Sequence, residues 1–529
     1  MKTTPLEIYG EYREAADFKS SLGKRGLYEQ NAVNERFYIG DQWYGAKCGN
    51  ERPLVRHNVI KRIGDYKMSQ ILSSPLSVAF SAEGVPYDAN RRGEQKGAYT
   101  GELKYDEIND VMESLSDYFN VTAERIGLDA LEERALRNAY ITGTGIIYTY
   151  WDGGVRTGVY ADPYKRMEIT GDIACEVLDI ENVYFGDPYA ENVQKQPYII
   201  ISSCRETADV LREAAQNGAD RRTLEILREE ECDGKITVLT KLYKEYTADG
   251  SYKIKCVKVT EHTTVRRPAD TGLRLYPLAA FQWERRGGIM YGESEITYLI
   301  PNQIAINRMI TANVWSAMTS GMPMMVINGD TVPQGITNEP GQIIKVFGSN
   351  EDVDGAVKYV APPDFSKNFE NSVQSLINNT LTQSGANEVA LGDSRADNAT
   401  ALITMRDAAI MPLNIAKTRF YAFAEEISRI WADFWIACYG RRKLKIRTKN
   451  SVKYIPFDAS RYAGLIINAT VDVGSGAALS DRECVNTLIT LFEKGIINRR
   501  EFLERVPDGI IPDRNGLLAA EEETENERE

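Results

Sequence analysis

The chain has 529 residues, 43% of them hydrophobic and 26% charged, which is material for about three or four domains with sizeable cores. Its formal net charge of −13 argues against a tight DNA clamp, because affinity for nucleic acid comes mainly from neutralising phosphate. No apolar run approaches the roughly 20 residues that span a bilayer, and the start Met1-Lys2-Thr3-Thr4-Pro5 carries no apolar leader core, so a chain of cytoplasmic origin outside the membrane is expected.

Residues 5–22 read as a helix stopped by Gly23 and Gly26. An aromatic-rich stretch follows, with Phe37, Tyr38, Trp43 and Tyr44. Residues 58–72 place Val59, Ile63, Tyr66, Ile71 and Leu72 at roughly helical spacing, and Pro75 ends the run. Residues 104–142 read as two helices, broken at Thr142-Gly143-Thr144-Gly145. A strand over 146–151 then meets a turn at Asp152-Gly153-Gly154. Up to about residue 285 the pattern is α+β: strands at 177–185, 197–203, 236–246 and 252–260, and one helix near 206–230.

The pattern then changes. Residues 294–320 read as one long helix with Pro301 near its start, ended by Gly321 and Pro323. Residues 324–328 form a short strand, and 342–347 with 356–360 a hairpin around Asp354-Gly355. After Pro362-Pro363, Phe365, Phe369, Val373, Leu376, Ile377 and Leu381 step by three or four and build one apolar helix face, stopped at Gly385. A polar loop over 387–398 leads into a helix from about Ala399 to Tyr439, kinked at Pro412. Strands return over 443–475 and helices over 480–505; the tail 521–529, with six acids and one arginine, is expected to be solvated.

This order resembles the portal proteins of tailed bacteriophages. So do Gly40-Asp41-Gln42-Trp43 with Arg52-Pro53 and Asn58, Tyr291-Gly292-Glu293-Ser294-Glu295-Ile296 leading into Pro301-Asn302-Gln303-Ile304-Ala305-Ile306-Asn307, Asp397-Asn398-Ala399-Thr400-Ala401-Leu402, and Lys494-Gly495-Ile496-Ile497. The resemblance covers nearly the whole chain, although 75–125 and 205–270 match nothing specific. It implies an α+β portal-type fold: an N-terminal wing over 1–290, stem helices over 291–320 and 364–386, a β-containing clip over 321–363 and a tunnel loop over 387–398. A long kinked helix over 399–440, wing strands over 441–478, and a crown with the acidic tail over 479–529 complete it.

The implied function is structural, with no catalytic residue, cofactor or metal. Subunits close into a ring, usually of twelve, at the portal vertex of the virion after assembly in the host cytoplasm. Double-stranded DNA is packaged and ejected through the ring. The implied partners are the large terminase, a head–tail connector or adaptor, the major capsid protein and a scaffold, with no membrane contact. The alternative is another structural virion component, such as a capsid or connector subunit. The tunnel loop would bring Asn387, Glu388, Asp393, Ser394 and Arg395 to the DNA. Arg395 would touch phosphate or else pair with Asp393 or Asp397. In the clip, Lys345 and Lys358 would meet partners. Residues 291–398 carry twelve acids against five bases, a net of −7, so a channel wall built from them would repel phosphate and let duplex slide.

Other chemistries find little. The Gly-Lys pairs at 23–24 and 234–235 lack the Ser or Thr and the earlier glycine of a phosphate loop. Gly143-x-Gly145 precedes a strand, the wrong order for a dinucleotide fingerprint, and reads as a turn. Asn350-x-Asp352-x-Asp354-Gly355 resembles the start of a calcium loop but has Ala361 where the bidentate glutamate belongs. The seven cysteines are scattered without a C-x-x-C pair, as reduced thiols are; His57, between Arg56 and Asn58 with no carboxylate or cysteine nearby, and His262, at a polar strand end, read as structural or surface histidines. Met309, Met318, Met322, Met324 and Met325 suit irregular contacts between neighbouring subunits. The strongest basic cluster is Arg441-Arg442-Lys443 with Lys445, Arg447 and Lys449; alternation would put Lys443, Lys445, Arg447 and Lys449 on one strand face, either solvated or against an anionic partner.

Overall fold

The computed structural model describes residues 3–44, 53–73, 76–83, 105–160, 168–248, 250–320, 324–327, 330, 345, 357–360, 367–386, 411–448, 451–462, 465–472 and 481–506. In chain order its elements are α1 (Pro5–Ser21), α2 (Leu27–Ile39), α3 (Val59–Leu72), β1 (Ser77–Glu83), α4 (Tyr105–Ile126), α5 (Leu128–Thr142), β2 (Thr144–Tyr160), β3 (Glu168–Leu178), β4 (Val183–Phe185), β5 (Tyr198–Glu206), α6 (Thr207–Gln216) and α7 (Arg221–Glu229). There follow β6 (Lys235–Tyr246), β7 (Tyr252–Val259), β8 (Thr264–Asp270), β9 (Leu278–Gln282), α8 (Glu295–Ser320), β10 (Met324–Ile327), β11 (Val357–Val360) and α9 (Lys367–Gln383). The last are α10 (Asn414–Cys438), β12 (Arg441–Thr448), β13 (Ser451–Asp458), α11 (Ala459–Tyr462), β14 (Ile466–Asp472), α12 (Asp481–Glu493) and α13 (Arg499–Arg505). The chain is thus mixed α and β, and it divides into two compact units: 1–70, 128–150 and 174–420 in the first, 71–127, 151–173 and 421–529 in the second.

The first unit is organised by a five-stranded antiparallel sheet in the order β4-β5-β6-β7-β8. Both faces are covered, and the side-chain alternation of period two sorts the residues between them. Ile199, Ile201, Leu242, Ile254 and Cys256 enter one cluster with Leu27, Tyr276 and Leu278. The residues between them, Ile200, Tyr243 and Val257, enter the other with Ile8 of α1. Two buried lysines bind α1 to this body. Lys19 Nζ donates to the carbonyls of Ile180 (2.7 Å) and Glu181 (2.9 Å) and sits 3.6 Å from the Tyr184 ring centroid. Burial pulls its pKa well below the ordinary lysine value, partly opposed by Glu181. Lys241 of β6 is fully buried and donates to the Glu11 carboxylate of α1.

Helix α5 packs against α2, α8 and β9. Leu128, Leu131, Ala135, Leu136 and Ala139 are buried along it, and so is Glu132, at 4% exposure. One Glu132 carboxylate oxygen has no hydrogen-bond partner among the described residues. Desolvation, with a smaller contribution from Asp129, pushes this carboxyl up to about 8.

In the second unit, β1 pairs antiparallel with β14, β12 with β13, and α4 packs on β1 and β12. Its core is aromatic: Trp431 and Trp435 are completely buried among Phe80, Tyr118 and Phe119. A polar chain runs through it. The Tyr118 and Tyr439 hydroxyls lie 3.1 Å apart, Tyr439 donates to Asp172, and Arg125 is 3.1 Å from the same carboxylate. The helices α12 and α13 close on each other through Leu488, Ile497, Phe502 and Val506.

Several local expectations change. The strand over 146–151 does not turn at Asp152-Gly153-Gly154 but continues as β2 to Tyr160. Glycine permits a turn without compelling one, and only Gly158 of that stretch adopts a positive φ, 67°. The helix near 206–230 is two helices: Gly218 takes φ 79° between them, and Asp220 caps α7 by accepting from Thr223 N at 2.9 Å. The described partner of β11 is β10, through Met324↔Val360 to Ile327↔Val357, rather than 342–347, most of which lies outside the described residues. Of the long helix expected over 399–439, residues 399–410 lie outside the described residues; the described part is interrupted where the kink was expected, with Pro412 in the 3-10 turn Met411–Leu413 and α10 running from Asn414, because proline has no N–H for the helix ladder and crowds the preceding turn.

Candidate functional site

Five sequence segments that stood out singly meet at the base of α8, all within the first unit. Ser294 caps the helix: its hydroxyl accepts from Ile296 N (3.1 Å) and donates to the Tyr140 carbonyl (2.6 Å). Just before it, Gly292 lies against the Gly143 backbone, with its N–H donating to Thr144 Oγ1 at 2.9 Å. A Cβ on Gly292 would stand 2.2 Å from the Gly143 carbonyl oxygen, and one on Gly145 2.0 Å from that of Ala135. The Thr-Gly-Thr-Gly segment is therefore neither a phosphate loop nor a free turn. It is the seat on which the entry to α8 rests. Gly292→Ala is expected to destabilise the protein by about 3 kcal/mol, because backbone would have to move. An unchanged urea midpoint would show that these two backbones are not in contact.

The first turns of α8 are held by charge and by amides. Glu295 accepts from Lys67 Nζ (2.6 Å) and from Trp283 Nε1 (3.1 Å), so this buried carboxylate is doubly paired. About two turns further, Gln303 accepts from Val59 N at 3.0 Å and donates to the carbonyl of His57 at 2.6 Å and to Asn307 Oδ1 at 3.0 Å. Asn307 also accepts from His57 N (3.0 Å) and donates to Gln42 Oε1 (2.5 Å). Gln42 returns to the Phe37 carbonyl, Trp43 Nε1 donates to the Val55 carbonyl, and Val55 N to Thr311 Oγ1. Gln303 and Asn307 are almost wholly buried. A helix whose buried amides satisfy the backbone of an otherwise irregular segment is fixed in rotation as well as in position.

Among the described residues no group of three His, Cys, Asp or Glu side chains is placed to hold a metal, and no helix is long and apolar enough to cross a membrane. The side chain of His57 takes no part in the junction; His57 and His262 are both exposed. Asn387, Glu388, Asp393, Ser394 and Arg395 lie outside the described residues, as does the segment from Asn350 to Gly355. Lys345 is exposed, and Lys358 sits in β11 opposite Val326. On β12 Leu444 and Ile446 are buried while Lys443 and Lys445 are exposed, so the expected basic strand face is met at those two positions, and Arg441 is exposed as well; Lys449 lies outside the described residues. Arg441 is paired with Asp458 at 2.7 Å. Sequence reasoning did not find Arg25, Arg36 and Arg308, which share a cleft near Gln42. They are isolated residues on separate segments, and only the fold brings them together.

No protein-family model matches the chain, and no curated protein matches it. Among solved structures the chain is similar to a chain of the "Virion of native gene transfer agent (GTA) particle", with 11% identity over 92% of this chain and 97% of that one, at a TM-score of 0.36.

Proposed function

We propose that the chain is a portal subunit. Copies close into a ring at one vertex of a virion, double-stranded DNA enters and leaves through the ring, and the ring docks the packaging motor first and a head–tail connector later. The proposal gives the chain no catalytic step. What carries the reading is the excursion from α8 through the antiparallel β10–β11 pair and back along α9. The two helices pack together, and Asn302 near the start of α8 lies 3.3 Å from Thr380 near the end of α9, as an antiparallel pair requires. Two packed antiparallel helices flanking a strand pair, with a buried polar junction at the base of the first, are the expected form of a stem with a clip.

Two further features support it. The segment 291–398 is the acidic part of the chain, with net charge −7, which opposes tight phosphate binding along a channel wall. A ring of identical subunits needs a heterologous interface whose rotation closes; α9 leaves Leu376 and Ile377 only partly covered within one chain, as a helix awaiting a neighbour would. Electron microscopy of the purified protein, viewed down the symmetry axis, tests the reading. The expected result is a ring of about twelve subunits around an open hole. A compact closed oligomer without a hole would sink it.

A further inference from the structure

Between α2 and α8, beside the Gln42–Asn307 pair, lies a cleft of about 370 Å³. Arg25 and Arg36 reach it from the two ends of α2, and Arg308 from α8. Phe37, Trp43 and Tyr44 form aromatic wall. Among the described residues no carboxylate pairs with any of the three arginines, and Asp41 is the single acidic lining residue. The Arg36 guanidinium lies 3.5 Å from the Tyr44 ring centroid, and Tyr44 is 68% exposed, so its ring remains open to a further stacking partner. The amides beneath, Gln42 and Asn307, are committed to each other and leave the arginines as the groups that face an incoming molecule.

Three unpaired guanidinium groups against one carboxylate make this a cationic pocket on a chain of net charge −13. Guanidinium is a planar fork of donors that matches the oxygens of phosphate two at a time. Exposed aromatic faces beside it stack on any base. An acidic peptide would use the charges but leave the rings without a role, whereas a nucleotide uses both. The volume falls in the range of about 300–1,000 Å³ typical of small-molecule sites and excludes a whole duplex.

We propose that this cleft binds a nucleotide phosphate, with Arg25, Arg36 and Arg308 on the phosphate oxygens and Tyr44 against the base. All its described lining residues belong to one unit of one chain, so binding does not depend on ring closure and can fail or succeed apart from it.

The test is calorimetric titration of the full chain with pyrophosphate, ATP and a single-stranded oligonucleotide of about 12 residues. Saturable one-site binding of ATP is expected, weakened at least about tenfold in Arg308→Ala and in Arg36→Ala. Tyr44→Ala is expected to weaken ATP and to leave pyrophosphate unchanged. Oligonucleotide that displaces ATP identifies a nucleic-acid strand as the source; ATP that binds without such competition identifies free nucleotide. Arg308 is exposed and outside the junction's hydrogen bonds, so its variant serves if Arg36→Ala melts early. Absence of saturable binding at millimolar ligand, or affinity unaltered in Arg308→Ala, overturns the proposal.

Discussion

Lys241→Met is expected to destabilise the protein by about 3–5 kcal/mol, read as a loss in urea midpoint at unchanged slope. Lys241 is fully buried and Glu11 is 7% exposed, so removing the ammonium strands a carboxylate in a medium that cannot solvate it. The partner substitution distinguishes this cause from lost packing. Glu11→Leu added to Lys241→Met removes the stranded charge and should recover most of the loss, since a buried ion pair and an apolar pair of similar volume are often nearly equal in stability. If the double variant is as unstable as the single one, the pair is not the reason. The consequence is local as well: α1 is held to the sheet by this pair, by Lys19 on the Ile180 and Glu181 carbonyls, and by Ile8. In the single variant α1 should be the first element to lose protection from hydrogen exchange.

The second large effect depends on pH. The Glu132 carboxyl stands at about 8 in the fold against an ordinary value of about 4.5 when unfolded. A raised folded-state value means that the folded chain holds its proton where the unfolded chain releases it. The contribution is complete below the unfolded value and is lost as pH rises through the window between the two. Over roughly three and a half units this amounts to on the order of 4–5 kcal/mol. Glu132→Gln keeps the shape and carries no charge. It should raise the melting temperature clearly at pH 8 and hardly at pH 5. A gain that is the same at both pH values would mean that the carboxyl is already solvated.

How much of this was legible depends on the range over which each feature is decided. The helices α3, α8 and α9 were readable because the spacing of Val59, Ile63 and Ile71, or of Val373 and Leu381, is a local signal that the fold only confirms by burying those residues. The division of 104–142 into two helices is met in the fold at Gly127, which takes φ 72° between α4 and α5. Gly153 and Gly154 misled because glycine's freedom includes extended backbone, and the neighbouring strands chose it. Strands β8 and β9 went unread: Pro268 lies inside the first, and the second has only five residues. Glu132 left a trace that was overlooked, since it occupies the stripe formed by Leu128, Ala135, Leu136 and Ala139. The junction was visible as separate motifs, but which would meet which is set by pairings such as Gln42 with Asn307, and these carry no local signature.

Those pairings also order events in time. The partners Gln42 and Asn307 are 265 positions apart, and Thr144 and Gly292 are 148 apart. At about 5–20 residues per second, a ribosome that has made Gln42 needs on the order of tens of seconds more before Asn307 exists. Within that interval the His57 and Val59 amides, and later the Tyr140 carbonyl and the seat at Gly143, are made well before their mates. The base of α8 therefore closes only late in synthesis: a chain truncated before residue 307 lacks Asn307 and cannot complete the junction.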